Sequence, residues 1–78
     1  MAAPEFALSR GSKGESILTL QGGRPLELIM SPDVRARIDA GELRMSVGYM
    51  QGVVKLVGSS GLFMDLLPQL DARSYVVS

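Results

Sequence analysis

Carboxylates are the main residues of this sequence that could do chemistry, because the 78 residues include no His and no Cys. The usual general base, the thiolate nucleophile and the soft metal ligands are therefore missing. Of the eight carboxylates only Asp39 and Glu42 lie close together in sequence, and solvated charges at a helix end account for that pair. The others are scattered over Glu5, Glu15, Glu27, Asp33, Asp65 and Asp71. We therefore predict a protein that is not an enzyme and that holds no metal or cofactor.

Two groups of residues are candidate anion sites. Gly58-Ser-Ser-Gly61 lies between a predicted strand and a predicted helix, where backbone N–H groups can bind an anion. A tight turn followed by a helix N-cap is the favoured interpretation, since neither a P-loop Lys nor a complete dinucleotide fingerprint accompanies it. Four arginines could also gather into a basic patch, but in a chain of zero net charge we expect ordinary solubilising charge. These four are Arg24, Arg35, Arg37 and Arg44.

Apolar residues in the second half of the chain form the remaining candidate site. Methionine is flexible and polarisable, so it suits the lining of irregular apolar space, and four of the five Met lie between residues 30 and 64. The last predicted helix also carries an apolar face wider than one small sheet needs, which indicates a cavity, a partner or a membrane surface. The plain alternative is a hydrophobic core. The set comprises Met45, Val47, Tyr49, Met50, Leu62, Phe63, Met64, Leu66 and Leu67.

Strands and helices that would position these residues can be predicted from local patterns. Alternation and flanking turn residues predict strands over 16–20, 26–30 and 53–57, with a weaker candidate over 6–8. Lys55 lies among apolar neighbours, which is typical of an edge strand or a half-exposed face. Ser31 can cap a helix in which Pro32 takes the first position, and Gly41 should end that helix.

The remaining helices complete an α+β fold with a small antiparallel sheet covered by helices. Residues 45–51 should form a short helix, and Ser59 or Ser60 should cap a final helix that begins near Gly61. Pro68 should kink or end that helix. Residues 71–78 give no clear pattern.

Length, charge and hydropathy narrow the function classes. A chain of 78 residues makes one small domain, and such a domain buries only about 60% of the surface that its unfolded form exposes. Zero formal net charge argues against nucleic-acid binding and against a polybasic membrane anchor. No apolar run approaches the ~18 residues of a membrane span, and no signal peptide is evident. The default expectation is a cytoplasmic protein.

Several of these segments together resemble the sterol carrier protein 2 (SCP-2) lipid-transfer family, bacterial members included. The resemblance covers about Leu26 to Leu70 and is strongest in Tyr49-Met-Gln-Gly52, which is similar to the family's aromatic-Met-Gln-Gly signature. Lys55 and Gly58 fall where that family places Lys and Gly, and Gly61 to Pro68 resembles its terminal helix. The resemblance implies an SCP-2-like fold in which a sheet and helices enclose an apolar tunnel.

What the resemblance implies for function is non-enzymatic binding or transfer of a fatty acid, sterol or acyl-CoA, with transient membrane contact. It also implies that this chain lacks the family's first helix and one strand, so that either the chain is a fragment, or a second copy or another chain would complete the sheet. The implied lipid-binding residues are Tyr49, Met50, Gln51, Leu62, Phe63, Met64 and Leu67. An alternative from a different class is a protein-interaction or dimerisation module that uses the apolar C-terminal helix.

Overall fold

A computed structural model describes residues 3–78 and contains five strands and three helices within them. The strands are β1 (Glu5–Arg10), β2 (Ser16–Leu20), β3 (Leu26–Met30), β4 (Val54–Gly58) and β5 (Val76–Val77). The helices are α1 (Pro32–Asp39), α2 (Met45–Met50) and α3 (Ser60–Asp71). Every strand and helix that the sequence predicted overlaps one of these elements, so the α+β class is confirmed.

The sheet is mixed and has the strand order β4-β3-β2-β1-β5. Its first three pairings are antiparallel, whereas β5 runs parallel to β1. The Ser78 N–H donates to the Phe6 carbonyl and the Leu8 N–H donates to the Ser78 carbonyl, both at 2.9 Å. These bonds correct two expectations. The sheet is not wholly antiparallel, and it has five strands because the unclassified tail supplies one.

Alternation along the strands places one face of the sheet against the helices. Leu18 pairs with Leu28, and Leu28 pairs in turn with Leu56, so that the pleat aligns these side chains on the same face. The helices contribute Ile38, Met45, Phe63 and Leu70 to this core. The complete buried core consists of Phe6, Leu18, Leu26, Leu28, Met30, Ile38, Leu43, Met45, Val54, Phe63 and Leu70.

Two of the helix starts are capped as the sequence predicts. The Ser31 Oγ accepts a hydrogen bond from the Val34 N–H at 3.2 Å, and Pro32 takes the first turn of α1. The Ser59 Oγ likewise accepts from the Leu62 N–H at 3.1 Å at the start of α3. The interpretation of Gly58-Ser-Ser-Gly61 as a turn with an N-cap is therefore confirmed.

Pro68 does not end α3, which continues to Asp71. A proline inside a helix removes one backbone hydrogen bond and costs about 3 kcal/mol. Two contacts beyond Pro68 hold the last turn in place. Leu70 is buried in the core, and Asp71 makes two hydrogen bonds to Ser46 in α2. Tertiary packing therefore outweighs the local helix-breaking preference.

Candidate apolar binding groove

An apolar groove of about 720 Å³ lies where α2, β4 and the start of α3 meet. Tyr49 and Met50 form its helical wall, and Val54 and Leu56 line it from the inward face of β4. It is open to solvent and is not an enclosed tunnel. Its complete lining is Tyr49, Met50, Gly52, Val54, Lys55, Leu56, Val57, Gly58 and Ser60.

Helix α2 approaches β4 closely beside this groove. A Cβ built on Gly48 would lie 2.8 Å from the Val54 Cγ2, so that only glycine allows the helix to pack at this distance. The chain then turns back at once, because the Val53 N–H donates to the Gly48 carbonyl at 3.0 Å. The six residues of α2 are therefore fixed against the strand that follows them.

A carboxylate from α3 holds the first turn of α2. Arg44, at the N-cap position, makes no side-chain capping bond. Instead, the Asp71 Oδ1 accepts from the Ser46 N–H at 2.9 Å, and its Oδ2 accepts from the Ser46 hydroxyl at 2.6 Å. Asp71 thus satisfies a free N–H at the positive end of α2. This cap comes from 25 residues away, so a local capping pattern could not indicate it.

The seven residues implied to bind lipid fall into three groups in the structure. Tyr49 and Met50 line the groove, and Met50 is the most exposed large apolar residue described, at 83%. Gln51 is exposed just beyond α2, and Met64 is 59% exposed on α3, but neither lines the groove. The other three, Leu62, Phe63 and Leu67, pack in or against the core.

Phe63 belongs to the core and not to a cavity wall. Its side chain is completely buried, and its ring centroid lies 5.0 Å from that of Tyr49. Tyr49 is itself 40% exposed. Its contact with Phe63 therefore joins the aromatic wall of the groove directly to the core. The apolar face of α3, which appeared too wide for one small sheet, is therefore used mainly in packing.

Residues of β4 complete the groove, and the sequence only partly indicated them. β4 is an edge strand, as the position of Lys55 among apolar neighbours predicts, and Lys55 is exposed. Alternation identifies Val54 and Leu56 as one face and Val57 as the other. No feature of the sequence shows that the end of α2 lies beside this strand, so these residues were not among the predicted ones.

The lining of the groove can bind apolar groups and offers one formal charge, that of Lys55. Within residues 3–78, no three His, Cys, Asp or Glu side chains are placed to hold a metal ion together. None of the helices described over the same range is long and apolar enough to cross a membrane. The arrangement supports burial of apolar surface, with a cation at the edge.

Comparison with known proteins does not assign the chain to a family. No protein-family model, curated protein or solved structure matches it significantly.

Proposed function

We propose that this chain binds an apolar lipid, such as a fatty acid, a sterol or an acyl-CoA, in the groove between α2 and β4. The observation that carries the proposal is Met50, which is 83% exposed and lines a groove of about 720 Å³ whose lining is mainly apolar. Small-molecule sites in proteins typically have volumes of about 300–1,000 Å³. The resemblance of Tyr49-Met-Gln-Gly52 to the SCP-2 signature adds support, because three of its four residues, Tyr49, Met50 and Gly52, line this groove.

Hydrophobic burial would supply the affinity without a catalytic residue. Each methylene removed from water contributes about 0.8 kcal/mol. An acyl segment in the groove would also cover Met50 and Val57, which are now largely exposed to water. As part of the same proposal, the α+β fold is that of an SCP-2-like domain.

Titration of the chain with a fluorescent fatty acid tests this proposal. Met50→Glu places a charge in the groove and should weaken binding by about tenfold or more. Met64→Glu is the matched control, because Met64 is also an exposed methionine but does not line the groove. Both variants should remain as stable as the parent chain. Equal losses of affinity in the two variants, or full affinity in Met50→Glu, would contradict the proposed site.

A second candidate function is association with another copy of this chain through β4. Within residues 3–78, β4 is paired with β3 on one side only, and both Val57 in this strand and Val53 just before it are exposed. Open edges of this kind pair readily with further strands. The apolar helix α3 contributes less than expected to such a contact, since of its large apolar residues only Met64 is strongly exposed.

The titration separates the two candidates when the mass of the protein is measured by light scattering on a sizing column. Saturable binding by a monomer supports the lipid proposal. A dimer that takes up no fatty acid supports association through β4 and contradicts the lipid proposal. The added charge of Val57→Lys should dissociate such a dimer.

A further inference from the structure

A second groove, of about 420 Å³, lies between α1 and the hairpin end of β1 and β2. It shares no residue with the groove at β4. Its lining combines charged and apolar side chains, among them Arg10, Arg35, Asp39, Leu8, Pro32 and Ala36. Arg35 and Asp39 also line an adjoining groove of about 620 Å³, to which Arg73 and Tyr75 belong.

Positive charge is in excess around these joined grooves. Their linings include three guanidinium groups, those of Arg10, Arg35 and Arg73, but only one carboxylate, that of Asp39. The one ion pair within residues 3–78 joins the Arg35 Nη2 to the Asp39 Oδ2 at 3.5 Å. Arg73 donates to the backbone carbonyl of Asp39 at 3.1 Å and leaves that carboxylate to Arg35. The chain has zero net charge, so this local excess is a feature of the fold.

Arg35 retains unused hydrogen-bonding capacity. Its Nε is buried and is the one buried side-chain nitrogen or oxygen atom within residues 3–78 that has no hydrogen-bond partner. The side chain as a whole is 29% exposed and lines the groove. Buried donors are nearly always paired in folded proteins, and a guanidinium offers a planar fork that fits an oxyanion. Arg35 therefore brings to the groove a guanidinium with an unpaired donor.

An apolar surface lies next to these cations. Leu8 is 41% exposed, which is unusual for a residue on the inward face of a sheet. Pro32 and Ala36 of α1 line the same groove. Uncovered apolar surface beside a guanidinium fits a ligand with an apolar part and a negative end.

We propose that this groove binds a small organic anion. Arg35 and Arg10 hold its oxyanion, and Leu8 and Ala36 contact its apolar part. The inference does not rest on lipid binding at β4. Of the arginines that the sequence suggested as a basic patch, only Arg35 takes part. Arg24, Arg37 and Arg44 line neither of the joined grooves.

Chemical-shift titration of the ¹⁵N-labelled full chain tests the proposal, with hexanoate as the probe at constant ionic strength. Hexanoate should bind saturably and shift the amide signals of 8–10 and 35–39. Hexanol and inorganic phosphate, which each carry one half of the recognised chemistry, should bind about tenfold or more weakly. Arg35→Gln should lower hexanoate affinity by about tenfold, the loss expected when a charge-assisted pair is removed.

Matched variants distinguish a site from general attraction to positive charge. Arg37→Gln removes the same charge from an exposed position on the same helix and should leave the affinity unchanged. Arg10→Gln, at an exposed strand end where folding should not suffer, should reduce it. Equal affinity of Arg35→Gln and the parent chain would overturn the proposal. Phosphate or hexanol binding as tightly as hexanoate would overturn it too, as would shifts confined to 49–58.

Discussion

The two grooves of this molecule differ in how their side chains come together. The groove at β4 is made mainly of one continuous stretch, from Tyr49 to Gly58, folded back on itself. The groove at α1 draws Arg10 from a strand and Arg35 from a helix, and Arg73 reaches its extension from the tail. The first is mainly apolar with one cation, and the second, together with its extension, carries an excess of two positive charges in a neutral chain. A continuous motif can be recognised in a sequence, whereas a juxtaposition of separate elements requires the fold.

The largest expected difference between the two regions is the stability lost when a glycine beside each groove is replaced by alanine. Gly58, at the edge of the apolar groove, has a φ of 113°, and a Cβ there would lie 2.3 Å from the Pro25 carbonyl oxygen. Backbone atoms cannot move aside as a side chain can. Gly58→Ala should therefore lower the free energy of unfolding by about 3 kcal/mol or more. Urea denaturation of the purified variant measures this loss.

Gly41, on the side of the arginine groove, is the control for that experiment. Its φ is 78°, but a Cβ there would meet the Arg73 Nη1 at 3.0 Å, which is the far end of a flexible side chain. Gly41→Ala should cost about 1 kcal/mol, the strain of the left-handed conformation alone. Similar losses in the two variants would show that steric contact with Pro25 does not restrict the edge of the apolar groove.

Local patterns predicted most of the fold, and the failures have physical causes. Ser31, Pro32 and Gly41 bound α1 as expected, because capping depends on neighbouring residues. Pro68 does not end α3, because Leu70 and Asp71 hold the last turn through tertiary contacts. The strand at 76–77 was missed because two residues give no periodicity, and only β1 makes them a strand.

The candidate site was predictable only in part, for the same reason. Tyr49 and Met50 were identified by a motif and do line the groove. Phe63 is as apolar as a residue that lines a groove, so its residue type does not show that it is buried in the core. Its burial depends on which residues pack beside it in the fold. The excess of arginines at α1 had no sequence signal, since its three members are 25 and 38 residues apart.

The next prediction contrasts how the helical wall of each groove is anchored. Asp71→Ala removes the carboxylate that accepts both hydrogen bonds from Ser46, and it leaves the Ser46 N–H without a partner. The expected loss in the free energy of unfolding is about 2 kcal/mol, typical of bonds to a charged group. Ser31→Ala removes the local cap of α1 and should cost about 1 kcal/mol. Thermal or urea denaturation of both variants measures the difference.

Asp65→Ala is the control for the loss of a carboxylate from the same helix, because Asp65 is exposed. It should change stability by less than about 0.5 kcal/mol. If Asp71→Ala were no more destabilising than Asp65→Ala, the long-range cap would not hold α2 in place. The apolar groove would then need another explanation for its fixed wall.

The smallest effect belongs to Tyr75, beside the arginine groove. Burial raises the pKa of the Tyr75 phenol, and the Asp39 carboxylate raises it further, while Arg35 and Arg73 oppose both. The folded protein therefore keeps this proton at pH values where the unfolded chain, with a tyrosine pKa of about 10, has lost it. The neutral phenol therefore contributes its full stability below about pH 10, the pKa in the unfolded chain. This contribution is lost as the pH rises through the higher pKa of the folded state. Tyr75→Phe, which keeps the edge-to-face contact with Phe6, should weaken the alkaline fall in the free energy of unfolding as the pH rises above about 10. Parallel slopes for the parent and Tyr75→Phe would show that the phenol is not desolvated. Arg35→Gln should act in the opposite direction and steepen the fall, because it removes one of the two cations that lower this pKa.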